Sequence, residues 1–88
     1  MRFDRLTNAE KRYLRGMAEL GPGPHRSSDI ADVLERKVAS VAPTRNALIA
    51  KGMIWSPNHG DTAFTVPLFD EFMKLIMPGG EWRERSNV

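Results

Sequence analysis

The 88-residue sequence predicts one small, mainly α domain that carries a β-hairpin. Three observations predict it. Apolar residues recur at three- and four-residue intervals in four separate segments, as the buried stripes of amphipathic helices do. Between the third and fourth segments lie two short β-branched and aromatic runs, separated by Pro57-Asn58-His59-Gly60-Asp61, which is a hairpin signature. The length admits a single core: a chain this short buries only a little over ~60% of its unfolded surface, and little is left to enclose a deep catalytic cavity.

Thr7-Asn8-Ala9-Glu10 has the form of a capping box and opens a first helix over residues 8–20, with Tyr13, Leu14, Met17, Ala18 and Leu20 at helical spacing. Gly21-Pro22-Gly23-Pro24 stops it and forms a loop. A second helix over 28–35 is capped by Ser27 or Ser28, carries Asp29 in its first turn, and buries Ile30, Val33 and Leu34. After a turn through Arg36 and Lys37, Val38, Val41, Leu48 and Ile49 mark a third helix. Pro43 is tolerated only in a first turn, so the regular part is placed at 40–51 with Ser40 as cap and Gly52 as the left-handed closing residue.

Met53 to Ser56 and Thr62 to Val66 read as the two strands, with Phe64 and Val66 sharing one face and entering the core together. Pro67 suits the first position of the last helix, whose stripe is Leu68, Phe69, Phe72, Leu75 and Ile76, and Pro78-Gly79-Gly80 ends it. The expected division is one domain over 1–78 and a flexible tail over 79–88, in which Trp82 is free to dock on a partner. This order of elements, helix-helix-turn-helix-hairpin-helix, is that of a winged helix-turn-helix, with the third helix as recognition helix and the hairpin as wing.

Composition narrows the function. Thirteen Lys and Arg face eleven Asp and Glu, a net charge of +2, and the balance is +4 over residues 1–60 against −2 over 61–88. Such a charge permits a nucleic-acid partner without demanding one. With no cysteine and two isolated histidines there is no disulfide framework and no metal-ligand set, and no apolar run approaches the ~20 residues of a membrane span. A cytoplasmic location without membrane attachment is the expectation.

The outward face of the third helix holds Ser40, Pro43, Asn46, Ala47 and Ala50, which is poor in donors; Asn46 alone is suited to read a base, as a bidentate partner of adenine. Phosphate contact has more residues behind it: Arg36 and Lys37 in the turn, Ser40 at the helix start, Lys51 at its end, and Asn58 and His59 on the wing form the candidate DNA-binding set. Against it stand Asp29, Asp32 and Glu35, which cancel part of the field. Arg45 falls close to the buried side. The competing expectation is a protein-interaction module, in which the small face of Ala42, Pro43, Ala47 and Ala50 packs on another domain or on a second copy of the chain. No catalytic residue is assigned: neither His25 nor His59 has a nucleophile or carboxylate at useful spacing, and Asp70 and Glu71 point ~100° apart on a helix.

Four stretches carry a closer resemblance: Ser28-Asp29-Ile30-Ala31, the run from Lys37 to Arg45, the run from Leu48 to Ile54, and His59-Gly60-Asp61-Thr62-Ala63-Phe64-Thr65-Val66-Pro67-Leu68-Phe69. Over residues 5–77 the chain resembles the C-terminal winged-helix domain of a family of bacterial AAA-type ATPases, laid out like archaeal replication initiators. The resemblance implies duplex DNA and an ATPase module of the parent protein as partners. This chain has no Gly-x-x-x-x-Gly-Lys-Ser/Thr loop, so ATP and magnesium are expected only in that parent module and no cofactor is expected here.

Overall fold

A computed structural model describes residues 5–79 and Trp82. Helix α1, Asn8–Leu20, starts as its sequence requires: the Thr7 hydroxyl accepts from the Glu10 amide at 3.1 Å, and the Glu10 carboxylate accepts from the Thr7 amide at 2.9 Å. The box satisfies two amides that the first turn leaves without helical partners. Tyr13, Leu14, Met17 and Ala18 are fully buried, and α1 is the element on which the other three helices pack. Gly16 allows the closest approach, since a Cβ there would lie 3.1 Å from a Leu34 methyl.

The expected loop over Gly21 to Pro24 is present, and a short strand that the sequence does not announce, β1, His25–Arg26, follows it. Helix α2, Ser27–Val33, follows at once, with Arg26 rather than a serine at its N-cap. Neither Ser27 nor Ser28 caps it, because the Ser27 amide and hydroxyl both donate to the Gly60 carbonyl, at 2.9 and 3.2 Å. The helix closes with Glu35 at φ +58°, where the Arg36 amide reaches back to Ala31 and the Glu35 amide to Asp32. That pair of bonds is the Schellman arrangement on a residue other than glycine.

Helix α3 spans Val38–Ala50, two residues earlier than the expected start, and so takes Pro43 into its interior. The N-cap is Lys37, and the Ser40 hydroxyl donates back to the Lys37 carbonyl at 2.9 Å instead of capping. Pro43 leaves the Ala39 carbonyl without its helical donor. Ala39 is exposed, so the missing bond falls in a turn on the outside of the domain, and the helix persists through it. Gly52 closes α3 at φ +78°, as expected, with the Met53 amide on Leu48 and the Gly52 amide on Ile49.

Strands β2, Ile54–Trp55, and β3, Asp61–Phe64, form the hairpin, and β1 pairs with the free edge of β3 to give a three-stranded antiparallel sheet in the order β1-β3-β2. The register sets His25 opposite Thr62 and Ile54 opposite Phe64. Phe64 packs against the core, but Val66 is 37% exposed and does not share its face. Pairing with β2 stops at Phe64; the Thr65 amide then turns to the Met53 carbonyl and its hydroxyl to that of Gly52.

Helix α4, Phe69–Ile76, begins two residues after Pro67, with Leu68 as N-cap at φ +64°. The Phe69 amide bonds the Val66 carbonyl, so Pro67 sits in the turn before the helix and not in its first position. Phe69 and Met73 are buried against α1, and the Phe69 ring meets that of Phe64 at a tilt of 59°, with centroids 5.6 Å apart. Trp82 is only 6% exposed, donates its indole N–H to the Gly79 carbonyl at 2.8 Å, and lies under the Arg15 guanidinium at 4.6 Å. It is part of the core, contrary to the expectation of a free aromatic; the rest of the expected tail, 80, 81 and 83–88, lies outside the described residues. Among the described residues the domain is mainly helical, with four helices and one small sheet, compatible with a winged-helix-like layout. Among the described residues no helix is long and apolar enough to cross a membrane.

Candidate nucleic-acid interface

The first half of α3 faces the turn between β2 and β3 across an open cleft of about 370 Å³, lined by Ser27, Val38, Arg45, Ser56, His59 and Gly60 among others. What holds the two walls together is local. The Gly60 carbonyl is gripped by Ser27 at the start of α2, and the turn itself is closed by the Asp61 amide on the Asn58 carbonyl and the Ser56 hydroxyl on the same oxygen at 2.8 Å. An adjoining depression extends the cleft over Arg26, Ser28 and Asp61.

Arg45 turns toward the buried side, as its place on the helix leads one to expect. It lies seven positions after Val38 and four after Val41, on the α3 stripe that turns toward the sheet, and its Nε is buried without a hydrogen-bond partner. The Tyr13 hydroxyl, fully buried nearby, is likewise without a partner of good geometry, although the hydroxyls of Ser27 and Thr62 are in its neighbourhood. Burial pushes the Tyr13 pKa up, against the smaller opposing influence of Thr62, the Arg45 charge and Ser27. The phenol is therefore a neutral donor at physiological pH, beside a cation with an unused N–H. A buried donor left unsatisfied costs roughly 1–3 kcal/mol, so this spot favours an acceptor.

The residues expected to act together are spread over several places. His59 is exposed on the cleft just described, with Asn58 exposed next to it in the turn. Lys37, also exposed, caps the N-terminus of α3. Arg36 and Ser40 instead line a smaller depression of about 120 Å³ on the α1 side, together with Arg12, Thr44 and Trp82. Asn46 is exposed on α3, its side-chain oxygen 3.4 Å from an Arg45 Nη. Lys51 stands at the other end of the helix, about 20 Å from Lys37 by the helical rise, and its ammonium is 2.7 Å from the Glu10 carboxylate. The Lys51 charge thus serves the α1 capping box. Its pairing partner lies 41 positions away, and no spacing rule reaches that far.

Among the described residues no three His, Asp or Glu side chains gather as a metal-binding group. The profile of a domain of unknown function, DUF8462, matches residues 1–73, which takes in α1 through most of α4 and both walls of the cleft. The chain belongs to the DUF8462 family. No curated protein and no solved structure matches it significantly. The DUF8462 match ends within α4, so Leu75, Ile76 and Trp82 lie beyond it.

Proposed function

We propose that this DUF8462 domain is a winged helix-turn-helix module that binds duplex DNA chiefly through the phosphate backbone. The observation that carries the reading is the cleft where α3 meets the β2–β3 turn: Arg45, its Nε buried without a partner, and His59 on the opposite wall line one opening, while Lys37 is exposed at the start of the same helix. The element order supports it, since a third strand placed before α2 braces the hairpin as a wing beside α3. Arg36 and the N-terminus of α3 add to the attraction for a phosphate. Exposed polar side chains on the body of α3 are few, Ser40 and Asn46 among them, so backbone contact outweighs base readout. On this reading ATP and magnesium belong to a separate ATPase module to which the domain tethers DNA.

The exposed small residues Ala39, Pro43 and Ala50 on α3 favour the second reading, a face that packs on another protein. Fluorescence anisotropy with a labelled 20-base-pair duplex separates the two. Three to four phosphate contacts predict a loss of about 40- to 150-fold in affinity between 50 and 200 mM salt. Arg36→Glu with Lys37→Glu weakens binding by at least about tenfold and flattens the salt slope by about 2, and Arg45→Gln weakens it without altering the fold. No binding at 50 mM salt overturns the DNA reading and leaves the protein-interaction reading.

A further inference from the structure

The smaller depression on the α1 side has a polar rim over an apolar lining. Helix α1 contributes Arg12 and Tyr13, α3 contributes Ser40, Val41 and Thr44, and the turn between α2 and α3 contributes Arg36. Tyr13, Val41, Leu34 and Trp82 are buried, whereas Arg36 and Ser40 are exposed and Arg12 and Thr44 half-buried.

Two cations border this depression without an anion. Among the described residues neither Arg12 nor Arg36 has a carboxylate or hydrogen-bond partner, and no Asp or Glu lines the depression. Arg15 on the same helix is the contrast, since its guanidinium donates to Glu19 and to the Met77 carbonyl. Like charges beside an apolar wall repel each other more than they do in open water, and an anion between them turns that repulsion into attraction. The Thr44 hydroxyl, one turn after Ser40, makes no hydrogen bond among the described residues and adds a neutral donor. The Ser40 proton is already given to the Lys37 carbonyl, so the free donors are Arg12, Arg36 and Thr44.

We infer that this depression binds a phosphate monoester, the terminal phosphate of a small molecule, held by Arg12 and Arg36 with Thr44 as third donor. Size selects a single group. The volume of about 120 Å³ is that of about four waters, well below the ~300 Å³ at which pockets begin to enclose a drug-sized ligand. Charge and shape select the monoester. Two guanidiniums balance its charge of about −1.5 to −2 at pH 7, and each offers a fork that matches two phosphate oxygens. A backbone phosphodiester has one charge and carries chain on two of its oxygens, so it lies along a surface, whereas a depression walled by two helices admits a group that ends its molecule. The inference does not rest on the DNA reading, which stands on Arg45 and His59 in the cleft.

Two-dimensional proton–nitrogen NMR on the full chain at constant ionic strength tests it, with inorganic phosphate, glycerol 3-phosphate and dimethyl phosphate as probes. The first two are expected to shift the amides of Arg12, Arg36 and Thr44 and the Trp82 indole N–H saturably, with a Kd on the order of 1 mM, and dimethyl phosphate to bind at least about tenfold more weakly. Arg12→Gln weakens binding of glycerol 3-phosphate by at least about tenfold and Thr44→Val by about two- to tenfold. Thr44→Val removes a hydroxyl and keeps the shape, so it carries the test should Arg12→Gln not fold. Arg45→Gln leaves the affinity unchanged, which separates this site from the cleft, and a chain that binds phosphate here but no duplex leaves the inference standing. The absence of saturable shifts up to about 50 mM overturns the proposal, as does an affinity that survives both Arg12→Gln and Thr44→Val; equal affinity for dimethyl phosphate overturns the choice of a monoester.

Discussion

Glu10 shows how one side chain serves two levels of structure. It closes the α1 capping box and, nearly buried, receives the Lys51 ammonium from the end of α3. Burial alone would raise its pKa, but hydrogen bonds from Lys51 and Thr7 and the Lys51 charge together outweigh it and hold the carboxyl below its ordinary 4.5. A group depressed in the folded state stabilises fully above its unfolded pKa and loses that contribution as pH falls through the folded one. Glu10→Gln is therefore expected to cost about 1–3 kcal/mol at pH 7 in urea unfolding and to flatten the decline in stability below pH 4.5. Lys51→Met should lower stability while leaving DNA affinity within about twofold, since its charge is already engaged.

At the scale of elements, the legible parts were those whose cause is local. The α1 box, Gly52 and the β2–β3 turn each rest on residues within a few positions of one another, and their spacing announced them. Strand β1 did not announce itself, because two residues carry no periodicity and its pairing with Thr62 and Asp61 exists only once the hairpin is in place. The start of α3 was misplaced for a physical reason as well. Pro43 argued for a late start, yet Lys37 is already extended at ψ 148° as the N-cap, and the exposed turn bears the lost bond. Pro43→Ala should accordingly restore the bond to the Ala39 carbonyl and stabilise the protein by about 1–3 kcal/mol, measured by chemical denaturation. An unchanged midpoint would mean that the proline's restriction of the unfolded chain offsets the missing bond.

The candidate site shows the same limit on the scale of the whole molecule. His59 and Lys37 could be named from exposure and position, and Arg45 turns toward the buried side as its helical position requires; Lys51 looked like a free cation, and only tertiary packing brings it to Glu10. Trp82 is the widest case. Nothing near it in sequence is apolar, so it read as a loose aromatic, whereas Arg15 on α1 brings it in: the guanidinium lies over the indole while Nε donates to the Met77 carbonyl at 2.8 Å and Nη1 to Glu19 at 2.9 Å. Arg15 and Trp82 thereby clamp the end of α4 onto α1, and the indole continues to the depression lined by Arg36 and Ser40. Removing a buried aromatic of this size costs about 3–5 kcal/mol, a large share of the 5–15 kcal/mol typical of a whole domain. Trp82→Ala should thus lower the urea midpoint sharply, and a chain ending at residue 73, where the family match stops, should be less stable still because it also loses Arg15's carbonyl acceptor and the end of α4. A chain cut at 73 that melts like the full one would show that the clamp contributes nothing to holding α4 against α1.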